Sequence, residues 1–165
     1  MSRFNLCGFT DYEDGKMGRF ETAGPIGMPV NIFIDNAADF TGEERGLCSV
    51  DVSGVGRDIQ VYESEETYLA TDPKTDVPSL IPMGTFSPSD DGESFDQSPD
   101  TSFTGRVLDV DWDREAGEDE PNCCMLIETL ELTFSLYLRY DRAVKKGYVV
   151  HGTAWLFGDL VITGE

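Results

Sequence analysis

The sequence predicts a mainly β, single-domain protein, an antiparallel small barrel or sandwich, and two observations carry that expectation. The last third of the chain alternates apolar and polar residues almost without a break. In Phe103-Thr-Gly-Arg-Val-Leu-Asp-Val-Asp-Trp-Asp113, Leu108, Val110 and Trp112 share one face of a strand and Asp109, Asp111 and Asp113 the other. Helical periodicity, by contrast, nowhere extends beyond about two turns, and its best instance is residues 139–146.

Taken in order, residues 1–45 read as an irregular N-terminal segment with one short strand, Pro29-Val-Asn-Ile-Phe-Ile34, entered from the loop Ala23-Gly-Pro-Ile-Gly-Met-Pro29. Residues 47–53 and 57–63 are expected to form a hairpin turned by Gly54-Val-Gly56, with Cys48, Val50 and Val52 on one face and Ile59 and Val61 inward. Glu65-Glu-Thr-Tyr-Leu-Ala70 suits either a helical turn or a short strand. Three prolines and a glycine between Pro78 and Pro88 predict an extended segment over the core. Residues 87–102 carry Asp90, Asp91, Glu93, Asp96 and Asp100 among Ser, Gly and Pro, with Phe95 as the one anchor, and read as a solvated acidic loop. Strands are then expected at 103–113, 123–129, 132–140 and 148–161, with a second acidic loop at 114–122. The expected core or its wall is Val50, Val52, Ile59, Val61, Leu108, Val110, Trp112, Trp155 and Leu160.

A chain of 165 residues buries about 70% of its unfolded surface, enough for a core without disulfides. The unusual quantity is charge. Thirty-two acidic against 12 basic residues give a formal −20, which favours solubility and opposes approach to phosphate or anionic lipid. The opening Met-Ser-Arg-Phe-Asn-Leu-Cys-Gly turns acidic at 11–14, unlike a signal peptide, and no apolar run approaches the ~18–20 residues of a membrane span. A cytoplasmic protein with no membrane association is therefore expected. Cys7, Cys48, Cys123 and Cys124 lack Cys-x-x-Cys spacing, and neighbours on a strand point to opposite faces, so free, buried or half-buried thiols are expected.

Gly105, the pair Glu128-Thr129 and Gly147-Tyr-Val-Val-His-Gly-Thr-Ala-Trp-Leu-Phe-Gly158 form a spaced pattern. It resembles bacterial proteins of unknown function that end in a Gly-x-x-Val-x-Gly-x-x-Trp-Leu-x-Gly strand. The arrangement is also similar to a five-stranded oligonucleotide/oligosaccharide-binding (OB) barrel. That resemblance implies an OB-like β-barrel domain over residues 46–165 and attaches no characterised activity. Gly152 and Gly158 are then expected where a strong strand bends or exits rather than around a phosphate, since no helix follows them.

Each chemical motif has a structural alternative. Asp109, Asp111, Asp113 and Glu120 match the acidic positions of a calcium loop, but Arg114 stands where the turn needs glycine, so an exposed strand face without metal is expected. His151, the sole histidine, has no nucleophile motif beside it and is expected as a hydrogen-bonded strand residue. The basic cluster Arg139, Arg142, Lys145 and Lys146 is interrupted by Asp141. Neighbouring Phe134, Tyr137, Tyr140 and Tyr148 suit core and rim, so no direct nucleic-acid binding is expected. No catalytic, cofactor or metal residue is assigned. The expected function is a non-catalytic module acting through a protein partner. Two alternatives stay open: an acidic inhibitor or immunity-type protein against a basic partner such as a nuclease, and a small-ligand binder or enzyme with a pocket at the barrel mouth.

Overall fold

The long strands form mostly where apolar residues alternate or crowd together, and the result is mainly β, as the sequence predicts. The structure is a computed structural model that describes residues 2–71, 76–85, 87–88 and 95–162. In order these are β1 (Ser2–Tyr12), β2 (Gly15–Thr22), β3 (Pro29–Ile34), β4 (Gly46–Tyr62), α1 (Glu65–Leu69) and β5 (Ser79–Ile81). There follow the two-residue β6 (Ser87–Pro88) and β7 (Phe95–Asp96), then β8 (Asp100–Trp112), β9 (Cys123–Glu128), β10 (Thr133–Leu138) and β11 (Val149–Ile162). Of the expected acidic loop, Asp90, Asp91 and Glu93 lie outside the described residues.

Two compact units emerge, one of residues 1–52, 82–101 and 155–165, the other of residues 53–81 and 102–154. In the first, β1, β2 and β3 form an antiparallel meander, with β1 also paired to the first part of β4 and β3 running parallel to the end of β11. Phe4, Leu6, Phe20, Val30, Ile32 and Val50 are buried. Residues 1–45 are therefore not the irregular segment with one strand that the sequence suggests: β1 and β2 precede β3, joined by a turn in which Glu13 takes a left-handed φ of 52°. Asn31, buried on β3, donates to Gly84 O, Gln97 Oε1 and Ser98 O, which ties the segment before β8 to the sheet. Trp155 is half-buried against Phe33, with ring centroids 5.2 Å apart, and beside Tyr12 and Phe157, so it forms a wall rather than the centre of the core.

The second unit is built on the ladder β8, β9, β10, antiparallel throughout, with β10 parallel to the second part of β4 and β5 on the far side of β8. Phe103, Val107, Met125, Ile127, Phe134 and Leu136 are buried, and the rings of Phe103 and Phe134 meet edge to face at 5.2 Å. Four expectations are corrected here. The hairpin at 47–63 is one continuous strand, β4. Gly54 does not turn; a Cβ there would lie 3.1 Å from Ala154 Cβ and 3.2 Å from Phe134 Cε2, so glycine serves close packing. The candidate helix 139–146 is an irregular loop, whereas Glu65–Leu69 is helical, capped by the Ser64 hydroxyl, which accepts from Thr67 N. Ile59 and Val61, expected inward, are half-buried.

Strand β8 departs from its expected face as well. In β8 the register passes from Val107 opposite Ile127 to Asp109 opposite Leu126, so Leu108 is the extra residue of a bulge. Val107 enters the core at 1% exposure, Leu108 and Val110 are half-buried, and Trp112, at the strand's end, is 41% exposed. The uniform face Leu108, Val110, Trp112 read from the sequence does not exist as a core face.

Candidate functional site

Three strand ends frame an open cleft in the second unit. Asp113 N donates to Asn122 O at 2.9 Å and Asn122 N donates to Leu138 O at 3.1 Å, locking the end of β8, the start of β9 and the end of β10 together. The Asn122 side chain then pairs with the Tyr140 backbone in both directions: its Nδ2 donates to Tyr140 O at 2.9 Å, and Tyr140 N donates to its Oδ1 at 2.8 Å. The chain leaving β10 is thus held at its first step. Buried Val144 fastens the loop that follows, and Gly147, at φ 93°, turns it into β11.

Between these anchors lies an open cleft of about 520 Å³. Trp112 forms its lip, Tyr140 and Val144 give it an apolar wall, and Arg114, Arg142 and Lys145 line it with only Asp141 to oppose them. All three cations are exposed, and among the described residues their side chains have no hydrogen-bond or ion-pair partner. Arg139 behaves differently. Its Nη1 donates to Gly117 O at 2.6 Å and Glu120 O at 2.9 Å, so it pins the acidic loop 114–122. The basic cluster read from the sequence is therefore divided: Arg139 is structural, Arg142 and Lys145 line the cleft, and Arg114, from a different loop, joins them. Asp111, Cys124, Tyr137 and Val55 are register partners on four neighbouring strands. Tyr137 and Val55 are 38% and 43% exposed, and their row alternates with that of Trp112, Cys123 and Leu138, so it lies on the other face of the sheet.

A second cleft, of about 680 Å³, belongs to the first unit. Asp11, Glu13, Asp14 and Asp35 surround Phe33 and Phe40, and Lys16 is paired with Asp11 at 3.0 Å. Burial, reinforced by the Asp159 carboxylate, pushes the Asp35 carboxyl above its ordinary range.

His151 is half-buried on β11, and its Nδ1 lies 2.7 Å from Thr104 Oγ1. The Thr104 hydroxyl is also 3.4 Å from Tyr68 OH, and the Tyr68 and His151 rings lie 5.9 Å apart. Thr104 is fully buried, and the three side chains form a cluster that seats α1 on the strands of the second unit.

Asp109, Asp111 and Asp113 are exposed. Asp113 Oδ1 accepts from Glu115 N and Glu120 Oε2 from Gly117 N, so the acids of the calcium-like spacing close local turns instead of converging. Among the described residues no group of three or more His, Cys, Asp or Glu is placed to hold a metal. The four cysteines are free, and burial pushes the Cys48 and Cys123 thiols up to about 11, which keeps them protonated and poorly nucleophilic at neutral pH. Among the described residues no helix is long and apolar enough to cross a membrane. Comparison with protein-family models, with curated proteins and with solved structures finds no match to this chain.

Proposed function

We propose that this protein is a non-catalytic binding module of the cytoplasm that works by holding a protein partner, and that the partner seats on the cleft lipped by Trp112. The observation that carries this reading is a tryptophan 41% exposed among arginine and tyrosine side chains on a hydrogen-bonded frame. Tryptophan, tyrosine and arginine dominate the energetics of protein interfaces, the aromatic rings because they bury large areas at little conformational cost and arginine because its planar fork pairs bidentately. A fold that needs Trp112 only for its core would bury it. The frame supplied by Asn122 keeps the cleft in one shape before a partner arrives, which lowers the ordering cost of binding.

Immobilised protein is compared with its W112A and R142E variants for retention of proteins from one cell lysate, each variant first shown to be folded by circular dichroism. One species held by the parent and lost from both variants is the expected result. Equal retention by all three removes the cleft from the interaction.

A second reading has its own support in the cleft of the first unit. Four carboxylates around two phenylalanines suit the guanidinium and ammonium groups of a basic partner, as in an inhibitor or immunity-type protein against a nuclease. D11N/D14N/D35N would abolish the retained species in that case, while W112A would keep it.

A further inference from the structure

We propose that the Trp112 cleft is specific for an acidic peptide segment, one or two carboxylates beside an apolar or aromatic side chain, presented by the partner; this deepens the function proposed above and rests on it. Three observations converge on that chemistry. First, Arg114, Arg142 and Lys145 meet a single carboxylate, Asp141, in the lining, although the chain as a whole carries 32 acids against 12 bases. A local positive site on so negative a molecule selects for anionic groups and repels other parts of an anionic partner, so it discriminates as well as binds. Second, the two arginines are unengaged by any side chain among the described residues, so their guanidinium forks are available for bidentate carboxylate pairing. Third, Trp112, Tyr140 and Val144 offer apolar area directly against those cations, which fits a segment that alternates charge with an apolar anchor.

The surroundings decide between anions. A nucleic-acid strand carries a phosphate at every nucleotide and cannot omit one. Asp113 and Glu115, both exposed, flank Arg114 in the chain, so a strand longer than the cleft would bring further phosphates toward carboxylates. A peptide places carboxylates only where cations await them. The volume, about 520 Å³, suits a few residues of such a segment.

The test follows the indole NMR signals of the intact protein, with the Trp112 signal identified by W112F. It is titrated with the peptide acetyl-Glu-Glu-Leu-Phe-Glu-Glu-amide, with the same peptide carrying Gln for every Glu, and with hexathymidylate. The acidic peptide is expected to shift the Trp112 signal and leave that of Trp155 in place, the Gln peptide to bind about tenfold more weakly, and R142E/K145E to lose a similar factor. No shift at millimolar acidic peptide, or equal shifts from the Glu and Gln peptides, overturns the proposal. A stronger shift with hexathymidylate overturns it in favour of nucleic acid. Partner capture read with W112A is separate: capture that depends on Trp112 while the peptide fails sinks only the acidic-segment claim. Capture indifferent to Trp112 sinks the wider reading.

Discussion

Thr104 Oγ1 lies 2.7 Å from His151 Nδ1 on a neighbouring strand and shares that oxygen with Tyr68 OH of α1 at 3.4 Å. One fully buried hydroxyl therefore joins β8, β11 and the chain's short helix. Replacing Thr104 with valine keeps the shape and deletes the oxygen. It should cost about 1–3 kcal/mol, because the polar atoms left behind have given up water without gaining a partner. T104S, which restores the oxygen, should recover most of that loss. Urea unfolding of the three proteins measures it, and a valine variant as stable as the parent would remove the cluster from the stability of α1.

The two tryptophans should separate cleanly. Trp155 packs against Phe33 at 5.2 Å with Tyr12 and Phe157 beside it, whereas Trp112 is 41% exposed. W155A is expected to cost about 2–3 kcal/mol, less than a fully buried aromatic because one side already meets water. W112A should cost less than about 1 kcal/mol. Acrylamide quenching of the single-tryptophan variants W112F and W155F gives a second measure, with Trp112 the more accessible. A destabilisation by W112A as large as that by W155A would place Trp112 in the core and remove the main support for the binding cleft.

How far the sequence reaches is plain from these same residues. Strands β9, β10 and β11 are legible because their alternation is unbroken, and the expected stretches 123–129, 132–140 and 148–161 contain nearly all of them. The bulge at Leu108 is not legible, since it adds one residue without breaking the apolar pattern, and it alone misassigns the face of β8. In β1, Phe4 and Leu6 do alternate, but Gly8 and the acidic run at 11–14 hide the strand from a local reading. The Gly54-Val55-Gly56 stretch looks like a turn because only tertiary neighbours show why glycine is needed. Arg142 and Lys145 stand out in the sequence as basic. That Arg114 and Trp112 join them depends on the pairing of three strand ends, which no local pattern encodes.

Gly158 tests the other kind of glycine. A Cβ there would collide with the backbone oxygen of Asp51 and come within 3.1 Å of Val50 Cγ1. Backbone cannot swing aside as a side chain does, so G158A should cost about 1–3 kcal/mol, as overpacked sites do. A thermal melt reads the result directly. Gly117, where a Cβ meets only the Glu120 side chain at 3.6 Å and beyond, is the matched control, and G117A should change the melt little.

Glu44 supplies a pH dependence whose sign is fixed by geometry. Its carboxylate accepts from Thr41 N, Thr41 Oγ1 and Gly42 N, each at 2.9 Å. The backbone bond from Thr41 is the largest cause that lowers its pKa from the ordinary 4.5 to about 2. Because the folded value is depressed, the ionised form is favoured by folding; the resulting stability is present above about 4.5 and is lost as pH falls toward about 2. E44Q cannot ionise, so the stability difference between parent and variant should be steady near neutrality, shrink between pH 4.5 and 2, and level off below that. Taking the difference cancels the other acids, which titrate in both proteins. Carbon-13 NMR titration of the Glu44 carboxyl gives the direct check, and an ordinary midpoint near 4.5 would mean that the turn at Thr41 and Gly42 does not hold the carboxylate in solution.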